Sequence, residues 1–573
     1  MSSPHIRIAA ARAFNPFPGL RPFEPEEDYI FFGREKQTDE LMRKLRTTRF
    51  LSILGQSGSG KSSLVRSGLI PSLYGGGMTM AGSRWRVAIM RPGENPLGNL
   101  AQALSEPGVL GPEGFPAETA DSGLTRAFFE TTLRASQRGL VECIQHARIG
   151  PGSNVLVLVD QFEELFRYKR SRRNAGHDEA VAFVKLLLEA HDSEVPCYIA
   201  ITMRSDFIGD CMEFGRLPEA INDGIYLVPR MSREELKLAI TGPVTVGRAT
   251  IAPRLVSRLL NDVGDDPDQL PILQHALMRT WERWEQDLQP HRPLDLQHYE
   301  AIGTMKAALS RHAEEAFGEL DARQQQIAAK MFKALTDKGA DARGVRRPAT
   351  LRELCARTGW GMDEVTRVVE AFRKPGRSFL MPPADVSLQP ESIIDLSHES
   401  LMRIWERLSV WADEESRSAQ LYLHLAQAAR RHAEGAAALW RDPELQLALE
   451  WRDREWPTEH WAARYDPSFG QAMAFLDASR AERDREIREA EERRRRELKH
   501  ARMLVLMLAI ASVLTFALGS YAFAQKIKAE QEVAIAESAL RRADSNRLRA
   551  EIDGRKAREA QQRAEMERAR CAE

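Results

Sequence analysis

Short aliphatic runs separated by amphipathic stretches set the pattern of the first 230 residues. Leu51–Leu54, Trp85–Met90, Val155–Val159, Cys197–Met203 and the stretch from Ile225 to Pro229 predict strands. The run Val155-Leu-Val-Leu-Val159 is continuous rather than alternating, which suits a central parallel strand buried on both faces. Helical patterns fall between these runs, through Leu45, after Ser62 and near Leu124–Ala147. Strand and helix in alternation predict an α/β domain with a parallel sheet and helices on both faces.

From Ser232 the period becomes helical. Ser232-Arg-Glu-Glu235 reads as a capping box, followed by helices at about Arg254–Val263 and Leu270–Trp284. Asp265-Asp-Pro-Asp-Gln-Leu-Pro271 makes a tight entry to the second, with Pro271 near its first turn. Residues 306–415 predict a three-helix unit with a short β-wing. Its helices lie near 306–319, 321–335 and 363–373, and Phe379 to Pro382 and Ile393 to Arg403 follow in winged-helix order. Residues 416–480 predict a helical hairpin in which Trp440, Trp451, Trp456 and Trp461 pack.

Charge then dominates. Residues 481–502 form a basic helix with Glu489–Arg493, Glu491–Arg495 and Glu492–Arg496 at the favourable i,i+4 spacing. It enters an uncharged stretch of 22 residues, Met503 to Ala524. As a helix that is about 33 Å, enough to cross a bilayer core. Nine basic residues lie in the twenty before it and four in the twenty after, which places the N-terminal domains in the cytosol and the chain as single-pass in the cytoplasmic membrane. Residues 525–573 read as a charged, weakly coiled-coil helix. The expected order is tail 1–14, α/β domain 15–231, helical domain 232–305, winged-helix-like domain 306–415, helical arm 416–480, basic helix 481–502, transmembrane helix 503–524 and charged tail 525–573.

Composition excludes more than it assigns. The 573 residues carry 81 basic and 82 acidic side chains, a net charge of −1, so no global field marks a nucleic-acid or membrane-surface binder. The five cysteines are widely spaced and odd in number, which fits neither a disulfide framework nor a zinc site. The first thirty residues hold no signal-peptide core. Arg343, Arg346 and Arg347 form a small cluster that reads as a solvated loop. With no basic recognition helix in view, nucleic acid is not favoured as a partner.

Chemistry gathers at the strand ends. Gly55, Gly60, Lys61 and Ser62 fit the spacing G-x-x-x-x-G-K-[ST], between a strand and a helix. Across Gly55-Gln56-Ser57-Gly58-Ser59-Gly60-Lys61-Ser62-Ser63, backbone N–H groups can face phosphates, Lys61 can reach β- and γ-phosphate oxygens, and the Ser62 hydroxyl can hold Mg²⁺. The helix dipole adds to this anion site. Asp160 ends the Val155–Val159 run as a second Mg²⁺ ligand, with Glu163 and Glu164 close enough to polarise a water. Arg204 either stabilises γ-phosphate charge or serves as a structural partner of Asp206 or Asp210. The arm Asn15 to Phe23 either caps a core or lies over the nucleotide base, with Phe32, Gly33 and Arg34 closest.

Taken together, these residues resemble the STAND NTPases, specifically the novel STAND NTPase 1 group, over residues 15–415. The motifs are Asn15-Pro-Phe-Pro-Gly-Leu-Arg-Pro-Phe23, Phe31-Phe-Gly-Arg-Glu35, Gly55 to Ser62, Asp160-Gln-Phe-Glu-Glu164, Met203-Arg-Ser-Asp206, Leu270-Pro-Ile-Leu-Gln-His-Ala276 and His398-Glu-Ser-Leu-Met-Arg403. The resemblance implies a signalling switch that ADP holds closed and that ATP opens to a homo-oligomer. It implies that Pro271 contacts the base, that Arg204 is the first sensor arginine, and that His398, followed by Glu399, reads the ADP phosphate. Gln161 departs from the pattern by replacing a second carboxylate, so water activation falls on Glu163 or Glu164 and an ATPase of low turnover is expected. The usual C-terminal repeat propeller is also expected to be lacking. A DNA-binding regulator and a scaffold that binds nucleotide without hydrolysis stand as alternatives.

Overall fold

In the computed structural model the residues described are 14–78, 82–111, 122–147, 149–150, 152–166, 175–264, 269–287, 292–338 and 344–570. The tail before residue 14, the Asp265–Asp268 entry and Arg343 lie outside them. The chain divides into two units, one running to Ala438 with Gln446–Phe475, the other comprising Leu439–Leu445 and Leu476 onward.

The first unit is built on a parallel sheet of β1 (Phe50–Gly55), β2 (Arg84–Met90), β3 (Ser153–Val159), β4 (Cys197–Arg204) and β5 (Ile225–Leu227), in the order β2-β3-β4-β1-β5. The continuous aliphatic run of β3 is explained by burial on both faces. Val155, Val157 and Val159 join one core, while Leu156 and Leu158 join another on the opposite face with Leu41 and Leu45 of α1 (Glu35–Thr48). Parallel pairing sets Gly55 beside Arg204 and Met90 beside Val159, so the carboxyl ends of four strands lie level along one edge. The helix expected near Leu124–Ala147 is two, Ser122–Ala135 and Gly139–His146. A Cβ on Gly139 would stand 2.4 Å from the Thr132 carbonyl oxygen, so the break is a close crossing that needs glycine.

After the sheet, α2 (Arg233–Val246) starts with the capping box: Glu235 N–H donates to Ser232 Oγ at 3.2 Å and Ser232 N–H to Glu235 Oε2 at 2.6 Å. Then come α3 (Gln269–Gln286), α4 (Thr304–Gly318), α5 (Ala322–Ala334), α6 (Leu351–Thr358) and α7 (Met362–Arg373). Among the described residues, the 306–415 segment holds three helical stretches beyond the three expected: α6, the short helix Ser400–Ile404 and the start of the helix Glu406–Ala433. Two short strands, β6 (Thr336–Asp337) and β7 (Val345–Arg346), pair with each other. β8 (Ala349–Thr350), β9 (Leu380–Met381) and β10 (Ile393–Leu396) form an antiparallel sheet in the order β8-β10-β9. Arg346 and Arg347 do not lie in a solvated loop: their side chains are 7 % and 13 % exposed.

The N-terminal arm ties these parts together. Asn15 Nδ2 donates to Met278 O at 3.1 Å, Phe17 meets Trp281 edge-on, Leu20 enters the core of the 306–415 segment, and Phe23 N–H donates to Ser63 Oγ at 3.3 Å. Further on, Tyr422, Trp451 and Trp461 cluster, but Trp456 is 74 % exposed rather than packed.

The second unit is dominated by the helix Phe469–Arg570, which begins in the first. Glu489–Arg493 and Glu492–Arg496 pair on it at 3.5 and 3.6 Å. Its most apolar 18-residue window has a mean hydropathy of 2.3, and none of it is buried within the chain. By length and composition this helix is able to cross a membrane.

Candidate functional site

The level edge of the sheet positions the site. β1 ends at Gly55, and the loop to Lys61 turns through Gly58 and Gly60, both at positive φ (75° and 84°), a backbone that only glycine adopts without strain. Lys61 Nζ donates to the Gly55 and Gln56 carbonyl oxygens at 3.0 and 2.7 Å. Burial lowers the Lys61 pKa, while Glu163, Glu399 and Asp160 hold its charge in place. Lys61 begins the helix that follows, with Ser62 in its first turn, and it continues as a π-helical stretch over Leu64–Leu69.

Asp160 stands just past β3 and is fully buried. It accepts from Thr202 Oγ1 at 2.6 Å and from Ser62 Oγ at 2.8 Å, and Arg66 lies 3.5 Å away. Burial alone would raise its pKa. Arg66, Arg91 and the two hydroxyls outweigh that and keep it below the usual carboxylate range. Among the described residues no cluster of three or more His, Cys, Asp or Glu side chains has metal-site geometry. A hydroxyl and a carboxylate at 2.8 Å are instead the sparse oxygen set on which Mg²⁺ sits when phosphates complete its shell.

The two glutamates separate. Glu163 lines the cavity beside Lys61 and accepts the Arg204 backbone N–H at 3.3 Å. Glu164 turns away to accept from the Gly93 N–H at 3.0 Å, and burial pushes its pKa up to about 7 despite Arg91. Arg204 Nε donates to Asp206 at 3.1 Å, so of the two acidic partners foreseen it uses the nearer, while its guanidinium still borders the cavity.

Phe32 and Arg34 line the cavity too. Arg34 Nη1 donates to Pro229 O at 2.9 Å and Nη2 to Ser59 O at 3.2 Å, which fastens the stretch around Phe32 to the loop. Gly33 has φ +83°, and a Cβ there would lie 2.4 Å from Glu235 O. Pro271 stands in the first turn of α3 on the cavity wall.

The 306–415 segment closes the remaining side. His398 Nδ1 accepts the Ser400 backbone N–H at 3.1 Å. Burial pushes its pKa down to about 4, so at neutral pH the ring is uncharged with its proton on Nε2. Glu399 accepts from Ser57 Oγ of the loop itself. Arg346 Nη2 donates to Gln161 Oε1 at 2.7 Å, and Nη1 to Asp395 Oδ2 at 2.7 Å. Arg91 Nη1 meets the same Asp395 oxygen at 3.0 Å. Six cationic side chains line the cavity (Arg21, Arg34, Lys61, Arg91, Arg204 and Arg346) against two carboxylates, Glu163 and Glu399. That excess suits a polyphosphate.

Residues 16–438 match the family model described as novel STAND NTPase 1. The chain belongs to the novel STAND NTPase 1 family. It is therefore a P-loop NTPase with a nucleotide-binding site. No curated protein matches this novel STAND NTPase. Solved structures similar to it include the Aeropyrum pernix ORC2 protein in its ADPNP-ADP complexes, at 12 % identity and TM-score 0.37, covering 67 % of this chain and 95 % of that one. Pyrobaculum aerophilum Cdc6p stands at 13 % and 0.27, covering 67 % and 94 %, and the Thermotoga maritima RuvB Holliday junction branch migration motor at 12 % and 0.27, covering 67 % and 97 %.

Around one cavity this novel STAND NTPase gathers Phe32, Arg34, Ser57, Gly58, Gly60, Lys61, Ser62, Ser63, Glu163, Arg204, Pro271 and His398. Gly55, Gln56 and Ser59 face a neighbouring hollow behind the loop, and Asp160 reaches the site through Ser62. Sequence reasoning passed over Arg66 and Arg91 and placed Arg346 in a solvated loop rather than at the site. Arg66 had a local signal, four residues past Ser62 on the same helix face. Arg91 had one as well, immediately after an expected strand.

Proposed function

We propose that this chain is a membrane-anchored, ATP-binding signalling switch of the STAND type, with slow ATP hydrolysis and assembly into a homo-oligomer controlled by nucleotide. The observation that carries the reading is the Ser57–Glu399 hydrogen bond. A carboxylate from the 306–415 segment rests on the phosphate loop, so a nucleotide's phosphates and this segment compete for one place. ADP leaves room for that winged-helix-like segment with His398 Nε2–H toward the terminal phosphate. ATP brings a further phosphate and charge, which Glu399 repels.

In this reading Ser62 and Asp160 hold Mg²⁺, which neutralises phosphate charge when bound. Lys61 and Arg204 stabilise the transferred phosphoryl group, and Glu163 faces the water. Phe32, Gly33, Arg34 and Pro271 frame the base. The helix over residues 503–524 spans the cytoplasmic membrane with the NTPase in the cytosol, and the signalling partner is a protein. The test is to purify the full chain in detergent, identify the nucleotide that copurifies, and compare oligomer mass with ADP and with a non-hydrolysable ATP analogue. ADP in the resting protein and a larger particle with the analogue support the switch. One mass under both conditions refutes it.

A further inference from the structure

Gln161 is the residue where backbone, side chain and chemistry disagree with an ordinary strand end. Its φ is +61°, a left-handed backbone that is strained for a residue with a Cβ. That conformation is pinned from one side: Gln161 N–H donates to Thr202 Oγ1 at 3.0 Å, and the same hydroxyl donates to Asp160 at 2.6 Å. From the other side Arg346, 185 positions away, donates to Gln161 Oε1 at 2.7 Å. Arg346 is in turn held by Asp395 Oδ2 at 2.7 Å and Leu396 O at 2.8 Å. Gln161 and Arg346 both line the cavity with Lys61, Glu163 and Arg204. An amide clamped this tightly beside the metal-binding carboxylate is oriented, and its orientation is set by a residue outside the sheet domain.

We propose that Gln161 orients the attacking water against the γ-phosphate of a nucleoside triphosphate. Arg346 is its positioning residue, so that hydrolysis requires the 306–415 segment to be seated on the NTPase domain. The proposal rests on the hydrolytic reading of the site and names what regulates it. An amide oxygen has two lone pairs, so one accepts from Arg346 while the other accepts from water, and the NH₂ group donates to a γ-phosphate oxygen. A neutral amide takes no proton. The water oxygen bonds to the γ-phosphorus, its proton passes to the Glu163 carboxylate, and the γ-phosphorus–oxygen bond breaks with its electron pair leaving on the nucleoside diphosphate. The arginine that positions Gln161 sits on β7, so departure of the segment removes it. An opened switch therefore keeps its triphosphate.

The experiment compares the full chain with Gln161→Met, Arg346→Met and the double variant; methionine preserves volume in each case. Single-turnover phosphate release and the Kd for Mg-ATP are measured on the same samples, with Lys61→Ala as the background. Each single variant is expected to lose about a hundredfold in rate, the lower end of the range seen for one oriented polar group, with Kd moving less than about threefold. Because the two residues act as one device, the double variant should fall no further than the slower single variant. The proposal is overturned if either single variant keeps its rate, if the losses multiply, or if rate and Kd fall together as a simple domain staple predicts. Wild type no faster than Lys61→Ala would instead refute the hydrolytic reading itself, and this proposal with it.

Discussion

Replacing Glu164 by glutamine tests the electrostatics of the site without touching its cavity. Glu164 is 6 % exposed, and its carboxyl pKa rises from 4.5 to about 7 because burial penalises the charge more than Arg91 and Arg346 favour it. A carboxyl whose folded pKa lies above its unfolded one is held protonated longer in the folded chain. Stability therefore falls as pH rises from 4.5 to 7 and stays low above that window. At about 1.36 kcal/mol per pH unit, the folding stability lost through Glu164 is about 1 kcal/mol by pH 5 and about 3 kcal/mol by pH 8. Glutamine is never charged and can still accept the Gly93 N–H through Oε1. Glu164→Gln should therefore stabilise the chain by those amounts. Urea unfolding of wild type and variant, followed by tryptophan fluorescence between pH 5 and pH 9, reads the difference directly. A difference that stays constant with pH, or a wild type that is the more stable at pH 8, refutes the reasoning.

Glu399→Gln removes the carboxylate resting on Ser57; Mg-ATP affinity should rise about tenfold, and more than ADP affinity, by isothermal titration. Equal gains for both nucleotides would show that Glu399 does not sense the third phosphate. Gly33→Ala places a Cβ 2.4 Å from Glu235 O at φ +83°; it should lower unfolding stability by about 2 kcal/mol or more and weaken nucleotide binding through Phe32 and Arg34. A reporter active only outside the cytosol should work when fused after residue 530 and fail when fused before residue 480, and the reverse pattern overturns the proposed orientation.

Features of the site set by neighbours in sequence were legible, and features set by distant ones were not. The phosphate loop, Asp160 and Arg204 each follow a strand whose aliphatic run declares it, and parallel strands carry their ends to one edge. The separation of Glu163 from Glu164 was illegible because it depends on Gly93, which is 71 residues away. The helix Leu351–Thr358 is too short for its apolar period to register. Only Thr350 and Glu353 mark it, as a capping box with Glu353 N–H on Thr350 Oγ1 at 3.2 Å. Trp456 shows the converse error, since tryptophan spacing predicts packing while the chain bends at Trp456 itself, with φ 48°, and turns the ring to solvent.

Arg346 shows why such a miss has functional weight. Beside masking neighbours such as Arg347, an arginine in a polar connection reads as solvated, because most are. Burying a guanidinium is tolerated only when carboxylates and carbonyls surround it, and here those come from Asp395 and Leu396 on β10 and from Gln161 on the sheet domain. One of these three partners belongs to a different segment, so the full set exists only while the two segments are docked. Undocking strips Arg346 of Gln161, while Glu399 at 4.0 Å, on the same segment, stays with it. A residue whose desolvation is compensated in one arrangement and not in another biases the equilibrium between them. The burial of Arg346 thus ties its own desolvation to the docked arrangement, which is what the proposed switch requires of a residue at that interface.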